Sequence, residues 1–323
     1  MSRALVVHQT GGPEVMIIKD RDVGAPGPGQ IRIRNRAIGL NFLDVYERTG
    51  LYKVDLPFVP GSEGAGEVTA VVAGVSDFKV GDRVGYIGPV GAYADERLLP
   101  AARAIPLPDH IDFETAAASM LKGMTAYYLL FETWKLRAGE SILWHAAAGG
   151  VGLIACQWAN ALGATVYGTA GSDEKAALAK AHGCHEVINY RTEDFPQRIR
   201  ELTAGRGVDV VYDGVGKATF EPSLDCLRPR GLMVSFGNAS GPVSIPNLRI
   251  LSVKGSLYLT RPTSAAYFAT TGELRKAAEM LFAAIGDGTI KVMINQRFAL
   301  ADAVEAHRAL EARQTTGSTL LLP

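Results

Sequence analysis

Cysteine is scarce in this sequence. Its 323 residues hold three, Cys156, Cys184 and Cys226, with no CxxC pair among them. Three scattered thiols make neither a disulfide framework nor a four-cysteine zinc site, and they fit a reducing compartment. An excess of one charge is missing too, since 33 Lys plus Arg balance 33 Asp plus Glu. Nucleic-acid-binding modules carry a basic excess, so no nucleic-acid partner is expected. No apolar run approaches the roughly 20 residues of a membrane-spanning helix. The opening stretch MSRALVVHQTGGPE is broken by Gly11-Gly12-Pro13, before the about 7–15 apolar residues that a secretory signal needs. The expectation is a cytoplasmic protein with no membrane partner. No internal repeat or low-complexity tract is visible.

What remains is the composition of a folded chain, 47% apolar and 20% charged, with a length that suggests two domains. The first third reads as antiparallel β structure. In Gln30-Ile31-Arg32-Ile33-Arg34-Asn35-Arg36-Ala37, Ile31, Ile33 and Ala37 share one face and three arginines take the other. Period two with one wet face is an antiparallel pattern. The arginine face is either a solvated strand surface or a phosphate site. Further strands are predicted at 3–8, 66–73, 82–87 and 91–99. From about residue 112 the period changes, and DFETAAASMLKGMTAYYLLFETW reads as two helical pieces with Asp112 as N-cap.

Strands and helices then alternate. Strands are predicted at 141–146, 164–169, 186–189, 208–213 and 231–236, with helices at 150–162, 173–182, 193–204 and 217–227. Gly163 and Gly183 stand where helix-ending glycines belong. Short apolar strands alternating with helices imply a doubly wound parallel sheet. Residues 272–285 and 300–313 read as helical, and 318–322 as a closing strand.

Between the first such strand and its helix lies His145-Ala146-Ala147-Ala148-Gly149-Gly150-Val151-Gly152. Small residues at a strand–turn–helix junction let a pyrophosphate lie against the backbone at a helix N-terminus, which supplies unpaired N–H groups and a positive dipole end. Ala147 takes the first glycine position of GxGxxG, and the tail Gly149-Gly150-Val151-Gly152 is intact. Binders of NAD place an acid about 20 residues further on, at the end of the second strand. Here that place reads Thr169-Ala170-Gly171-Ser172, with no acid until Asp173 and with Lys175 one turn along. A hydroxyl and a lysine without a carboxylate suit a 2′-phosphate, so the expected cofactor is NADPH. Lys175 is either a phosphate ligand or a solvated helix lysine. Tyr190 either flanks the same phosphate or is a surface tyrosine. His145 is read as a packed, hydrogen-bonded histidine, Cys156 as core, and Asp213 as structural.

Several segments together carry a resemblance: NFLDVYERTGLY (41–52), PGSEGAGEV (60–68), GDRV (81–84), AAAGGVG (146–152), INYR (188–191) and VVYDGVGKATFEPSLDCLRPRGLMVSFGNASG (210–241). Over essentially its whole length the chain resembles the zinc-independent, zeta-crystallin-like NADPH:quinone oxidoreductases of the medium-chain dehydrogenase/reductase superfamily. The zinc-dependent relatives carry a GHE motif where this chain has Gly61-Ser62-Glu63, and a thiolate where it has Asn41. No cysteine precedes Cys156, so no metal is expected at either zinc position.

The resemblance implies an α/β fold in two parts. A GroES-like antiparallel catalytic domain, 1–122 completed by 263–323, surrounds a Rossmann NADP-binding domain, 123–262. It implies that Asn41, Tyr46 and Tyr127 line the cleft near the nicotinamide. Gly149, Gly150, Val151 and Gly152 would meet the pyrophosphate, and Gly171, Ser172, Lys175 and Tyr190 the 2′-phosphate end. Phe236, Gly237 and Ser240 would stand beside the cofactor at the end of a late strand, and Arg313 would close over it. Phe236 has core packing as its other reading, and Arg313 a cation serving a helix C-terminus. The implied activity is metal-free reduction of a quinone by NADPH, in a homodimer whose GLMVSFG and VKGSLYLT segments pair across a sheet edge. Two other readings stay open. One is reduction of an activated C=C bond in an enone or enal. The other is a non-catalytic nucleotide-binding protein, of the crystallin kind or an RNA binder.

Overall fold

Period-two burial builds the first sheet. The computed structural model describes residues 2–323, and the chain forms two units. One comprises the residues up to Met124 together with Thr270–Gly286 and Val292–Pro323; the other comprises Thr125–Ala269 and Asp287–Lys291. In the first unit, β1 (Ser2–Val7) and β2 (Met16–Arg21) make an antiparallel ribbon. In β3 (Gln30–Leu40), Ile31, Ile33 and Ala37 are fully buried. The arginines between them have cross-strand partners: Arg34 pairs with Glu96 at 3.1 Å, Arg36 with Glu67 at 2.9 Å, and Arg32 donates to Thr69 at 3.1 Å. The arginine face is a surface of solvated pairs, each of small energetic consequence. A short helix, α1 (Phe42–Arg48), follows β3 directly. Then come β4 (Glu63–Val71), β5 (Arg83–Ile87), β6 (Glu96–Pro100), β7 (Ala104–Pro106) and α2 (Phe113–Tyr127). The N–H of Thr115 donates to the Asp112 carboxylate at 2.6 Å, the capping bond expected at that helix start. A single helix runs through α2 and widens into a π-helical stretch, Tyr128–Thr133, where the sequence pattern predicts two pieces.

The second unit alternates β8 (Ser141–Trp144), α3 (Gly150–Ala161), β9 (Thr165–Ala170), α4 (Asp173–Ala181), β10 (Glu186–Asn189), α5 (Phe195–Leu202), β11 (Val208–Asp213), α6 (Phe220–Cys226) and β12 (Leu227–Ser235). After it come α7 (Arg249–Val253), β13 (Tyr258–Thr260) and α8 (Ser264–Tyr267). The strands stand in the order β10-β9-β8-β11-β12-β13, and every pairing is parallel. This is the doubly wound sheet that the alternation predicts. Gly163 and Gly183 end α3 and α4 with φ of 81° and 97°, values that a Cβ disfavours. Of GLMVSFG and VKGSLYLT, expected to pair across a sheet edge of a homodimer, GLMVSFG needs correction, because it does not lie at an edge. Leu232, Met233 and Val234 pair with Tyr258, Leu259 and Thr260 inside one chain, and β11 covers the other side of β12. Of β12 and β13, only β13 lies at a sheet edge; β10 forms the opposite edge.

The chain then returns to the first unit through α9 (Thr271–Gly286), β14 (Ile294–Ala299), α10 (Ala303–Glu311) and β15 (Ser318–Leu322). Strand β15 lies antiparallel to β3, completing the order β14-β15-β3-β4-β5-β7 with β6 also on β3. Its core gathers Ile31, Ile33, Leu99, Tyr86 and Leu321. No helix among the described residues is long and apolar enough to cross a membrane.

At the carboxyl ends of β11 and β12 two backbones touch. A Cβ on Gly237 would lie 2.2 Å from the carbonyl oxygen of Gly214 and 2.7 Å from its Cα. Backbone does not yield as a flexible side chain does, so Gly237→Ala is expected to cost about 1–3 kcal/mol. Urea unfolding followed by tryptophan fluorescence checks this; an unchanged midpoint would remove the steric argument.

Candidate active site

In the second unit, β8 ends at Trp144 and the chain turns through Ala146, whose φ is 54°. Helix α3 then begins with Gly149 as N-cap, which offers no side-chain acceptor. Its first-turn N–H groups therefore face outward without a capping partner, the arrangement that accepts a phosphate. A Cβ on Gly152 would stand 2.6 Å from the carbonyl oxygens of both Ala146 and Ala147, so the turn closes only around glycine. Ala147 is fully buried at the first glycine position of the motif. Its methyl is accommodated by a glycine opposite, since a Cβ on Gly168 in β9 would lie 2.8 Å from it.

At the end of β9, a Cβ on Gly171 would lie 2.5 Å from the Tyr190 hydroxyl, which places that ring over the glycine. The Ser172 hydroxyl accepts from the Lys175 N–H at 3.3 Å as N-cap of α4, and it also bonds the exposed Glu174 carboxylate. Asp173, the first acid after the strand, accepts from the Asn189 amide at 2.8 Å. Gly171, Ser172, Tyr190 and the Lys175 backbone therefore come together. Phe236 packs against Trp144, with ring centroids 5.6 Å apart, and over Gly214. The Ser240 hydroxyl donates to the Val215 carbonyl at 2.8 Å and accepts from the Ala218 N–H at 2.9 Å, so it braces the loops after β11 and β12. The Tyr127 hydroxyl donates to Glu132 at 3.1 Å while its ring stacks on Phe131.

Beneath this turn His145 is fully satisfied. Its Nδ1 lies 2.9 Å from the Thr169 hydroxyl and its Nε2 2.8 Å from that of Ser223. Ser223 spends its own proton on the Thr219 carbonyl, so Nε2 carries the imidazole hydrogen. Burial lowers its pKa and keeps it neutral. Asp213 accepts from the N–H groups of Val215 and Gly216 and from Thr219, which shapes the loop after β11.

The first unit holds a different chemistry. Asn41 is the N-cap of α1, and its N–H donates to Asp44 at 2.9 Å. Its side-chain amide donates to Glu63 Oε2 at 2.8 Å, and Lys122 Nζ donates to that same oxygen at 2.8 Å. The N–H of Leu121 takes the other oxygen at 2.7 Å. Side-chain exposure is 0% for Glu63 and 5% for Lys122, while Asn41 is half-buried. On the far side of Asp44, the Tyr93 hydroxyl donates to Oδ2 at 2.9 Å and lies 3.0 Å from His307 Nε2. Arg48 is fully buried and pairs with Glu311 at 2.6 Å. Tyr46 is buried, with Tyr52 edge-on at 5.3 Å and Phe42 at 6.1 Å. Arg313 follows α10 with φ of 59°. Sequence reasoning missed Glu63, Lys122, Asp44, Tyr93 and His307. The available signal was one lysine inside the apolar helix run ASMLKGMTA.

Burial pushes the Asp44 carboxyl up to about 7, although its bonds from Asn41 and Tyr93 favour the charged form. It pushes Glu47 up to about 8, with the Asp44 charge adding. His307 is pushed down to about 3 by burial, with Arg48 adding. A raised carboxyl binds more protons in the folded chain than in the unfolded one. Its contribution to stability is therefore lost as pH rises, from the ordinary 3.8 to about 7 for Asp44 and from 4.5 to about 8 for Glu47. The lowered imidazole acts in the opposite sense between about 3 and 6.5. Above pH 6.5 the two carboxyls act alone, so the melting temperature should fall toward pH 8. Asp44→Asn combined with Glu47→Gln should flatten that fall. An equal slope in wild type and double variant would show that these groups do not carry it.

Among the described residues, no three His, Cys, Asp or Glu side chains gather as a metal site requires. Residues 27–109 match the alcohol dehydrogenase GroES-like domain, and residues 150–281 match the zinc-binding dehydrogenase family. A quinone oxidoreductase of Pseudomonas aeruginosa is 57% identical over the whole of both chains. The crystal structure of Escherichia coli quinone oxidoreductase complexed with NADPH is 50% identical, with a TM-score of 0.98 and full coverage of both chains. A 2-haloacrylate reductase from a Burkholderia species is 46% identical over all of this chain and 99% of its own. With relatives this close over its full length, and with Asn41 and Ser62 at the zinc positions, the chain belongs to the zinc-independent quinone oxidoreductases of the medium-chain dehydrogenase/reductase superfamily.

Proposed function

We propose that the protein is an NADPH-dependent quinone reductase that works without a metal. The observation that carries the cofactor choice is the acid-free end of β9. Gly171, Ser172, Tyr190 and the backbone of Lys175 stand together there; of the two acids that follow, Asp173 is held by Asn189 and Glu174 is exposed, with a bond to Ser172. The uncapped start of α3 and the closed turn at Gly152 fit a pyrophosphate. Gly149, Gly150, Val151 and Gly152 would hold it, with Phe236, Gly237, Ser240 and Arg313 completing the cofactor site. Asn41, Tyr46 and Tyr127 would line the acceptor end. In this reading residues 1–122 and 263–323 form the catalytic domain and 123–262 the cofactor domain. The protein is a cytoplasmic homodimer with no nucleic-acid partner. The open edge of β13, where Tyr258 is 60% exposed, and the exposed Leu248 and Val253 would form the dimer contact.

NADPH supplies a hydride when bound. The protein's part is to orient the reactants and exclude water. A quinone that accepts the hydride gains two electrons and one hydrogen, becoming a quinol monoanion. Charge delocalisation stabilises that anion enough for it to take its second proton from water. No side chain then needs to be an essential acid. The related 2-haloacrylate reductase favours a second reading, reduction of an activated C=C bond by the same cofactor. NADPH oxidation with a panel of quinones and enones separates the two, and absence of turnover with every member would leave a nucleotide-binding protein.

Two substitutions test the residue roles. A charged phosphate contact contributes about 1.5–3 kcal/mol. Lys175→Ala should raise KM for NADPH roughly tenfold or more, leaving KM for NADH nearly unchanged; equal effects on both would reject the phosphate role. General acid catalysis contributes about 10²–10⁴-fold. Tyr46→Phe should lower kcat with a quinone by less than about tenfold while altering KM. A loss of several hundredfold, with a matching ionisation in the pH profile, would make Tyr46 the proton donor.

A further inference from the structure

The buried pair behind Asn41 has no part in the mechanism above. Glu63 and Lys122 have side chains that are 0% and 5% exposed, and both contact one oxygen, Glu63 Oε2, which also receives the Asn41 amide. Water cannot screen a charge in this position, so any imbalance between the two would be felt by a group lying against Asn41. A carboxylate alone would fix Asn41 as well as a paired one does. It would also leave a negative charge one amide away from the place where hydride transfer creates another. The ammonium of Lys122 is the sole cation bonded to this carboxylate among the described residues.

We propose that Lys122 is a positioning residue for the reaction: its ammonium cancels the Glu63 charge beneath Asn41, so that an acceptor held there can become an anion. The inference rests on the reading of the chain as an NADPH-dependent reductase with Asn41 at the acceptor end. Glu63 anchors the amide, and Lys122 keeps that anchor electrically neutral. Asp44 is the other titratable group near the pair; it accepts from the Asn41 N–H, burial pushes its carboxyl up to about 7, and it is the same in wild type and every variant.

The test is a charge series in the full-length protein, read as the single-turnover rate of NADPH oxidation by p-benzoquinone. Lys122→Met leaves a net charge of minus one at the pair and should slow the step tenfold or more. Glu63→Gln keeps an acceptor for Asn41, leaves plus one, and should proceed at or above the wild-type rate. Glu63→Gln with Lys122→Met is neutral again and should lie within about threefold of wild type. The Kd for NADPH, from fluorescence titration, should stay within about threefold throughout.

A purely structural ion pair predicts a different pattern, in which Lys122→Met and Glu63→Gln lose activity to a similar extent. That pattern, or a Lys122→Met chain as fast as wild type, overturns the inference. If Lys122→Met does not fold, Glu63→Gln and the double variant decide it. Glu63→Gln at or above the double variant upholds the charge argument, and Glu63→Gln slower than the double variant overturns it. A wild-type chain that oxidises NADPH with neither quinone nor enone removes the functional reading and this inference together. Turnover in wild type with a flat charge series removes the inference alone.

Discussion

A carboxylate beyond the reach of water must meet donors on its own chain, and in the first unit that requirement falls on Glu63. Its two oxygens take an amide from the start of α1, an ammonium from α2 and a backbone N–H from the same helix. Between them the donors fix two elements, α1 and α2, against β4. The requirement also reaches into β3, where a Cβ on Gly39 would lie 2.2 Å from Oε2 and 2.3 Å from the Ala117 carbonyl. Strand end, helix start and helix middle are thus held in one arrangement by a single group. Removing one partner from such a site strands a buried charge, which costs far more than the intact pair contributes. The pair is therefore better understood as a matched charge at a fixed place than as a source of stability.

The second unit reaches precision by the opposite means. Where the first unit fills space with matched charges, this one removes side chains until backbone meets backbone. Gly152 closes on the carbonyls of Ala146 and Ala147, and Gly237 closes on Gly214. The departure at the first glycine of the motif follows the same rule, because Gly168 provides on β9 the room that Ala147 takes up on the turn. Under the turn, His145 joins the ends of β8 and β9 to α6 through Thr169 and Ser223, without a charge. A neutral imidazole there adds orientation beneath the turn and no charge.

These two strategies explain what could be read from the residue order. Adjacent small residues, strand–helix alternation and a missing acid are local, so the parallel sheet and the expectations at Gly149–Gly152 and Gly171–Lys175 follow from short windows. Strands 186–189, 208–213 and 318–322 fall where the apolar pattern puts them. Strand β14 escapes that pattern, because its residues alternate only between half-buried and exposed at the edge of its sheet. Strand β2 has one buried residue, Met16. The Glu63–Lys122 pair spans 59 residues and the Tyr93–His307 contact 214, so no window contains either. Cys156 is legible as core and is buried, with burial and its neighbour Cys184 pushing its thiol well above the ordinary range.

Seen from the chemistry, the substitutions at the zinc positions form one change rather than several. An alcohol dehydrogenase must stabilise an alkoxide, a localised and strongly basic anion, and a Lewis acid meets that need. A quinol monoanion or an enolate spreads its charge over a conjugated system and asks for less. What it cannot tolerate is a fixed negative charge close by in a place that water does not screen. Asn41 and Ser62 bring no charge of their own, Glu63 comes with its counter-ion within 2.8 Å, and burial pushes the neighbouring Asp44 carboxyl up to about 7, toward its neutral form. A metal site supplies positive charge and needs acids or thiolates to hold it. A neutral site needs only that buried charge be matched or suppressed, as the Lys122 ammonium does for Glu63 and burial does for Asp44.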